Sequence, residues 1–452
     1  MDNKLTEGKP YQVILRFMLP LMIGNICQQL YNIADTIIVG RFLGSLALAA
    51  VGSTGTIVFF IIGTSAGMVT GFSIITSQRY GAGDNDDVKF SFTAGFVLSC
   101  ILIALATVLT LVFIKPILTL MNTPEDIFDY ALDYISVICA GIFATVFYNY
   151  FSALLRAIGN SRIPLASLVF SAVVNVILDI LFITRFKLGT AGAAYATVLS
   201  QALSAVLCIV YIRLRVEVLT PHMRHWKIKG SIVKAELMQG IPMALQTGIT
   251  ASGTMIMQSA FNLFGSTAVA AITAASKLQN LTTQAMFTAG QTMASYVGQN
   301  YGYGDFKRIR EGVRDSLKMF VIYSVGAGLL TVFLLPYVMP VFFEKGTDIS
   351  IYLPWARIYI IECACCYFFL SMIFITRSSV QAIGHGFAAM IMGLSELGAR
   401  IIVAVISMKV GIFYLAAAAD PCAWIVAGFV GLFLFLFLMK KEEKLALIPR
   451  HA

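Results

Sequence analysis

The stretch Ser77-Gln-Arg-Tyr-Gly-Ala-Gly-Asp84 decides the fold, because it returns as Gly298-Gln-Asn-Tyr-Gly-Tyr-Gly-Asp305, 221 residues later. Two shorter pairs repeat at similar offsets. Gly44-Ser-Leu-Ala47 matches Gly265-Ser-Thr-Ala268 at 221 residues, and Ala157-Ile-Gly159 matches Ala382-Ile-Gly384 at 225 residues. The chain is therefore two copies of one unit. In apolar chains, such duplication is the usual construction of secondary transporters.

The composition is that of a membrane protein. Hydrophobic residues make up 58% of the 452 residues and charged residues 12%, and the mean hydropathy is +0.84. Soluble domains have about 25% charged residues. Uncharged runs at 90–114, 188–212 and 319–343 each hold 25 residues, whereas about 20 apolar residues suffice for a helix to cross a bilayer. The sequence therefore predicts an all-α integral membrane protein.

We predict twelve transmembrane helices in two six-helix bundles that are related by an internal pseudo-twofold repeat. Parallel repeats of this kind share an axis along the membrane normal and leave a central cavity between the halves. The expected lobes are an N-lobe at 1–215 and a C-lobe at 237–452, joined by a cytoplasmic linker at 216–236. The predicted spans are 14–39, 47–76, 90–114, 131–155, 163–184, 190–214, 237–262, 268–297, 316–343, 352–376, 386–408 and 412–439.

The basic residues predict the orientation. In this topology 23 of the 32 Lys and Arg residues fall on the side that holds both termini, and six fall on the opposite side. The positive-inside rule then places both termini in the cytoplasm. Residues 1–19 lack the pattern of a cleavable signal peptide, so we expect the first helix to be its own anchor.

The net charge of +9 lies in loops rather than on one soluble face, which argues against a nucleic-acid partner. Six basic residues lie between Arg213 and Lys234 in and beside the linker. We expect these charges to contact anionic lipid headgroups. The chain is expected to act as a monomer without a cofactor.

Several predicted helices carry polar residues three or four apart, which places them on one helix face. Hydrogen bonding between helices explains such residues as well as the wall of a wetted cavity does. The rows are Asn25, Gln28, Gln29, Asn32, Asp35 and Thr36; Ser167, Ser171, Asn175 and Asp179; Thr197, Gln201 and Ser204; Gln246, Thr250, Thr254, Gln258 and Asn262; and Lys277, Asn280, Gln284, Thr288, Gln291 and Ser295.

Asp35 and Asp179 are the main candidates for function, because an ionised Asp at the centre of a membrane helix costs about 2.5–3.5 kcal/mol. With Asn175 and Thr197 they offer an all-oxygen pocket, which hard cations such as Na⁺ prefer. Either acid can instead bind a proton when it is buried. The alternative is a structural pair with Lys or Arg, but the first half has no basic residue in mid-helix.

The second half lacks these groups. Asp35 aligns with Ile256, and Asn175 and Asp179 align with Arg400 and Ala404. We therefore expect one ion site in the N-lobe and none in the C-lobe. Glu396 and Arg400 are four residues apart, which predicts a structural ion pair. Lys277 and Glu362 line the cavity or pair with each other.

These residues together resemble the multidrug and toxic compound extrusion (MATE) transporters, over essentially the whole chain. The resemblance rests on Pro20, on Tyr31-Asn-Ile-Ala-Asp35, on Arg156-Ala-Ile-Gly-Asn-Ser-Arg-Ile-Pro164 and on the repeated Gln-x-Tyr-Gly-x-Gly-Asp. The acidic first helix, with Asn175 and Asp179, looks like the prokaryotic DinF-like branch.

The resemblance implies export of amphiphilic cationic compounds from a prokaryotic cell, across its plasma membrane, in exchange for Na⁺ or H⁺. It implies a cation or proton site at Asp35, Asn175, Asp179 and Thr197, with Tyr31, Tyr134 and Asn149 nearby. Gln28, Gln246, Lys277, Asn280 and Gln284 are expected to support that site or to line the substrate cavity.

Two other functions were weighed. A flippase of the same superfamily would move an anionic lipid-linked precursor and would favour a basic cavity. The predicted mid-membrane acids (Asp35, Asp179, Glu362 and Glu396) outnumber the mid-membrane bases (Lys277 and Arg400), which favours cations. An intramembrane enzyme is disfavoured, because the chain has no His-Glu-x-x-His motif and its four histidines sit in predicted loops, near a helix end or in the tail.

Overall fold

The fold is described from a computed structural model of residues 5–121, 123–343 and 348–446, without the side chains of Ser45, Thr56 and Ser266. The parts of the predicted lobes at 1–4 and 447–452 lie outside these ranges. All regular structure in the described residues is helical. The α-helices are α1 (Pro10–Leu43), α2 (Ser45–Gly81), α3 (Asn85–Leu120), α4 (Glu125–Ala140), α5 (Ile142–Ala157), α6 (Arg162–Ile180), α7 (Gly189–Arg215), α8 (Gly230–Asn262), α9 (Gly265–Tyr303), α10 (Phe306–Val338), α11 (Leu353–Cys365), α12 (Tyr367–Ala382), α13 (Gly386–Val410), α14 (Phe413–Ala417) and α15 (Ala419–Ala446).

The helices reproduce the twelve predicted spans, with corrections inside them. Eight described stretches are long and apolar enough to cross a membrane by themselves. Two predicted spans, 131–155 and 352–376, are not continuous. Each is a helix pair, bent by 46° between α4 and α5 and by 50° between α11 and α12. The span predicted at 412–439 is the short α14 followed by α15, and α6 continues into a π-helical turn at Leu181–Arg185.

The bend between α4 and α5 lies at Gly141. A Cβ atom there would overlap the side chain of Val198 in α7. Glycine therefore allows α7 to approach the bend closely. Residue 141 and Cys366, where α11 ends against α12, are separated by the 225-residue offset of the repeat, so both halves break the corresponding span.

The repeated eight-residue motif forms the same turn twice. Gly83 and Gly304 have φ angles of 74° and 86°, a left-handed conformation that only glycine adopts without strain. The next residue caps the following helix: the Asp84 carboxylate accepts a hydrogen bond from the Asp87 N–H at 2.9 Å, and Asp305 accepts one from the Arg308 N–H at 2.9 Å. The motif is conserved between the halves because it ends one helix and starts the next.

The chain divides by its contacts into two compact units. Within the described residues, the first unit is Arg16–Thr247, and the second is Leu5–Leu15 together with the residues from Gly248 onward. The first turns of α1 therefore belong to the second unit, and α8 belongs to the first unit as far as Thr247. The lobes that the sequence repeat predicts, 1–215 and 237–452, remain a proposal.

The predicted linker packs against α3. His225 is fully buried, and its Nε2 lies 3.2 Å from an Asp86 carboxylate oxygen. Arg224 pairs with the same oxygen, and Lys229 pairs with Asp87 at 2.7 Å. Two of the basic residues that we expected to contact lipid are thus paired within the protein.

Glycine also permits a close contact within the first unit, between α2 and α8. A Cβ atom on Gly71 would lie 2.5 Å from the Gly240 Cα and 2.8 Å from the Gln239 carbonyl carbon. Both are backbone atoms, which move only if the helix moves. A Cβ atom on Gly52, in the same helix, would meet no atom within 4 Å.

We therefore predict that Gly71→Ala lowers the free energy of unfolding by about 1–3 kcal/mol, the usual penalty of overpacking. Gly52→Ala is the matched control, and it should leave stability unchanged or raise it by at most about 1 kcal/mol through helix propensity. The measurement is the thermal unfolding midpoint of the detergent-purified variants. Equal midpoints for both variants would contradict the close contact.

Candidate ion-coupling site

The predicted site residues of the first half lie on five helices of the first unit. Each helix places its residues through the 3.6-residue turn, so Tyr31 and Asp35 share a face of α1, and Asn175 and Asp179 share a face of α6. The helices are α1 for Gln28, Tyr31 and Asp35, α4 for Tyr134, α5 for Asn149, α6 for Asn175 and Asp179, and α7 for Thr197.

The structure brings the carboxyl groups of Asp35 and Asp179 together. Their side chains lie close enough for one to hydrogen-bond to the other when it carries a proton. Asp179 is fully buried, and so is one oxygen of Asp35. When both groups are ionised, neither has a hydrogen to donate, and both Asp179 oxygens lack a hydrogen-bond donor among the described residues.

Asn175 adds two more buried polar atoms. Its side chain is 0% exposed, and neither its amide nitrogen nor its amide oxygen has a hydrogen-bond partner among the described residues. Buried polar groups are nearly always hydrogen-bonded, so a cluster of unpaired ones needs an explanation. Asn175 and Asp179 together present oxygen atoms that are free to bind a cation.

Tyr31 lies beside the acids and links α1 to α7. Its hydroxyl accepts a hydrogen bond of 3.3 Å from the Gln201 side-chain amide, and it interacts with the Gln28 side chain. Tyr134, which is 8% exposed, is close enough to Asp35 and Asp179 to interact with both electrostatically. Gln201 was absent from the predicted site, although its position four residues after Thr197 in the polar row of α7 was a signal for it.

The other predicted residues are less closely connected to the acids. Thr197 is half-buried in α7 and makes no side-chain hydrogen bond to either acid in the described part of the chain. The Asn149 amide donates to the Thr145 carbonyl of its own helix at 2.8 Å. Gln246 lies in the part of α8 that belongs to the first unit.

The remaining predicted residues, Lys277, Asn280 and Gln284, lie on α9 in the second unit. Lys277 and Asn280 are exposed, and Gln284 is half-buried. Glu362 lies on α11 beside a pocket that Arg357 and Tyr414 also line. Among the described ion pairs, none joins Glu362 to Lys277, so the pairing that we considered is not formed.

The second unit buries its acids together with bases. Arg400 donates to Glu396 at 2.9 Å, which confirms the predicted ion pair, and also to Asp420 at 2.7 Å. Arg377 lies 3.5 Å from the other Glu396 oxygen. The sequence analysis missed Asp420, and it placed Arg377 in a loop although Arg377 lies in α12. The network holds two acids and two bases, so it is neutral as it stands.

The two units therefore differ in charge balance. Two ionised carboxylates about 4 Å apart repel by about 4 kcal/mol at an effective dielectric constant of about 20. No Lys, Arg or His of the described residues forms an ion pair with Asp35 or Asp179. The pair is thus suited to hold a proton or a small cation, whereas the second unit supplies its own guanidinium groups.

The whole chain is similar to known transporters. It matches the family model MatE over residues 20–181 and 242–406. It is 32% identical, over 67% of this chain and 68% of the relative, to "Probable multidrug resistance protein YpnP" of Bacillus subtilis. It is 26% identical, over 85% of each chain, to "FAD transporter" of Shewanella oneidensis.

The fold is similar to that of a solved structure described as "Crystal structure of MATE in the bent conformation". The TM-score is 0.91 at 24% sequence identity, and the match covers 99% of each chain. This similarity confirms the predicted fold class, an all-helical membrane protein with two bundles of six spans. The printed names of the two curated relatives refer to different cargo, so similarity to them leaves the substrate open.

The charge network of the second unit predicts a stability series. Glu396 and Arg400 are 8% and 5% exposed, so Arg400→Met should lower the free energy of unfolding by about 3–5 kcal/mol by leaving buried acids without their base. Adding Glu396→Gln should restore part of the loss, and adding Asp420→Asn should restore most of the rest. Thermal unfolding of the purified variants measures the series.

Lys409→Met is the matched control, because Lys409 is an exposed cation at the end of the same helix, α13. It should leave the unfolding midpoint unchanged. The network would be structurally unimportant if Arg400→Met were as stable as Lys409→Met, or if the triple variant were no more stable than Arg400→Met alone.

Proposed function

The chain belongs to the MatE family, and from that premise we propose that it is a secondary active transporter that exports amphiphilic organic cations in exchange for H⁺ or Na⁺. Asp35 and Asp179 hold the coupling ion, assisted by Asn175 and Thr197. The transporter lies in the plasma membrane of a prokaryote with both termini in the cytoplasm. It acts as a monomer, uses no cofactor and carries out no catalytic chemistry.

The observation that supports this proposal is the buried pair of carboxyl groups without a base. Their mutual repulsion is relieved when a proton or a cation binds, so the site favours states in which it is neutralised. If H⁺ couples, it binds one carboxyl, and the other accepts a hydrogen bond from it. If Na⁺ couples, the oxygen atoms of Asp35, Asn175, Asp179 and Thr197 are the ligand type that a hard cation prefers.

Exchange requires the ion and the cargo to favour opposite states. A ligand shifts a conformational equilibrium only through its different affinity for the two states. The carboxyl pair provides that difference, because helices α1 and α6 meet at lower energy when the pair is neutralised. Cargo that favours the opposite state then drives ion release, and ion binding drives cargo release.

A cationic cargo agrees with the charges of the chain. The acids of the second unit's network are matched by Arg377 and Arg400, whereas Asp35, Asp179 and Glu362 have no ion-pair partner among the described residues. Unpaired acids attract a cation and repel an anionic lipid-linked precursor. The relative of Bacillus subtilis, whose printed name is that of a probable multidrug resistance protein, is in line with this cargo class.

We predict that Asp35→Asn and Asp179→Asn each reduce gradient-driven export to the level of vesicles without protein, because each removes one member of the carboxyl pair. The assay is efflux of a fluorescent organic cation from loaded proteoliposomes, with Na⁺ and pH gradients imposed separately. The gradient that drives export by the wild-type protein identifies the coupling ion.

Asp133→Asn is the matched control, because Asp133 is an exposed acid of α4 in the same unit. It should export at the wild-type rate, and all variants should reconstitute in equal amounts. Wild-type efflux by Asp35→Asn and Asp179→Asn would exclude the pair as the coupling site.

A further inference from the structure

A second buried acid lies in the first unit, apart from the carboxyl pair. Glu236, on α8, is 0% exposed. It falls at the boundary between the predicted linker and the seventh predicted span, where the sequence gave no reason to expect a buried group. Its surroundings are α2, α3 and α5, whereas the carboxyl pair lies on α1 and α6.

Two hydroxyl groups hold one side of this carboxyl. The Ser91 hydroxyl of α3 donates to Glu236 Oε1 at 2.8 Å, and it lies 2.8 Å from the Thr76 hydroxyl of α2. Ser91 and Thr76 are 1% and 0% exposed. The second oxygen, Oε2, is buried and makes no hydrogen bond within the described residues.

No base neutralises Glu236 in the described part of the chain. Arg79 of α2 pairs with Asp87, as does Lys229, while Arg224 and His225 contact Asp86. Lys234, on α8 itself, is exposed. The ionisable neighbour that faces Glu236 is the Tyr150 phenol of α5, and it donates its proton to the Phe92 carbonyl at 2.6 Å.

We propose that Glu236 is a second proton-binding group of the first unit, protonated while α8 packs against α2 and α3. A buried carboxylate without a cation is strongly disfavoured, whereas a neutral carboxyl is tolerated. In the neutral form, Oε1 is the carbonyl oxygen that accepts from Ser91, and Oε2 carries the proton. This arrangement accounts for both oxygens.

The proton is linked to the position of α8. Glu236 lies on α8, but its hydroxyl partners lie on α2 and α3, so movement of α8 away from them exposes the carboxyl to water. An exposed Glu ionises near pH 4.3, and the proton is then released at neutral pH. The inference concerns protonation alone and stands whether or not the chain exports cations.

The test is infrared spectroscopy of the purified full-length protein at neutral pH, where the C=O band of a protonated carboxyl is separate from carboxylate bands. The wild-type minus Glu236→Gln difference spectrum should contain one protonated-carboxyl band. The control is Glu217→Gln, an exposed acid of the linker, whose difference spectrum should contain none. Ser91→Ala keeps the acid and should shift the band by removing its hydrogen bond, which preserves the test if Glu236→Gln does not fold.

Transfer to D₂O tests the link to α8. The band should move to its deuterated position slowly in the wild-type protein and faster in Gly71→Ala, which loosens the contact between α2 and α8. The proposal is overturned if Glu236→Gln and Ser91→Ala both leave the protonated-carboxyl bands unchanged. It is also overturned if the wild-type band exchanges as fast as that of an exposed acid.

Discussion

The repulsion between two buried carboxyl groups is the constraint on which this account depends. Asp35 and Asp179 face each other from α1 and α6, and no base of the described residues pairs with either. Such a pair is stable only when a proton or cation neutralises it. A group that must be neutralised, on helices that can change their packing, couples ion binding to conformation. The same pair without that requirement would be a structural defect.

The second unit shows what the same fold does without an ion. Where the first half has Asn175, the second has Arg400, whose guanidinium is bound by Glu396 and Asp420. Gly253 makes room for it, because a Cβ atom at that position would overlap the guanidinium. A covalently attached cation neutralises these acids permanently. The duplication has thus produced one half suited to exchange its positive charge and one half with that charge built in.

Much of the fold was predictable from the sequence, because the signals are local. Apolar runs marked the spans, and the repeated motif marked the turn that Gly83 and Gly304 form. The breaks at Gly141 and Cys366 were not predictable, since they depend on contacts with other helices and leave the apolar pattern unchanged. In the site, helical spacing predicted the pair Glu396–Arg400 and the faces of α1 and α6. Arg377, Asp420, Gln201 and Glu236 were missed because their partners are distant in sequence, which the spacing rule does not detect.

The most direct test of the carboxyl pair is the number of protons or Na⁺ ions that the purified protein releases when an organic cation binds at equilibrium. A pH indicator and a Na⁺-selective electrode measure the release without any gradient. The account predicts that the wild-type protein releases the coupling ion, and that the double variant Asp35→Asn, Asp179→Asn releases none. Equal release by the wild-type protein and the double variant would contradict it.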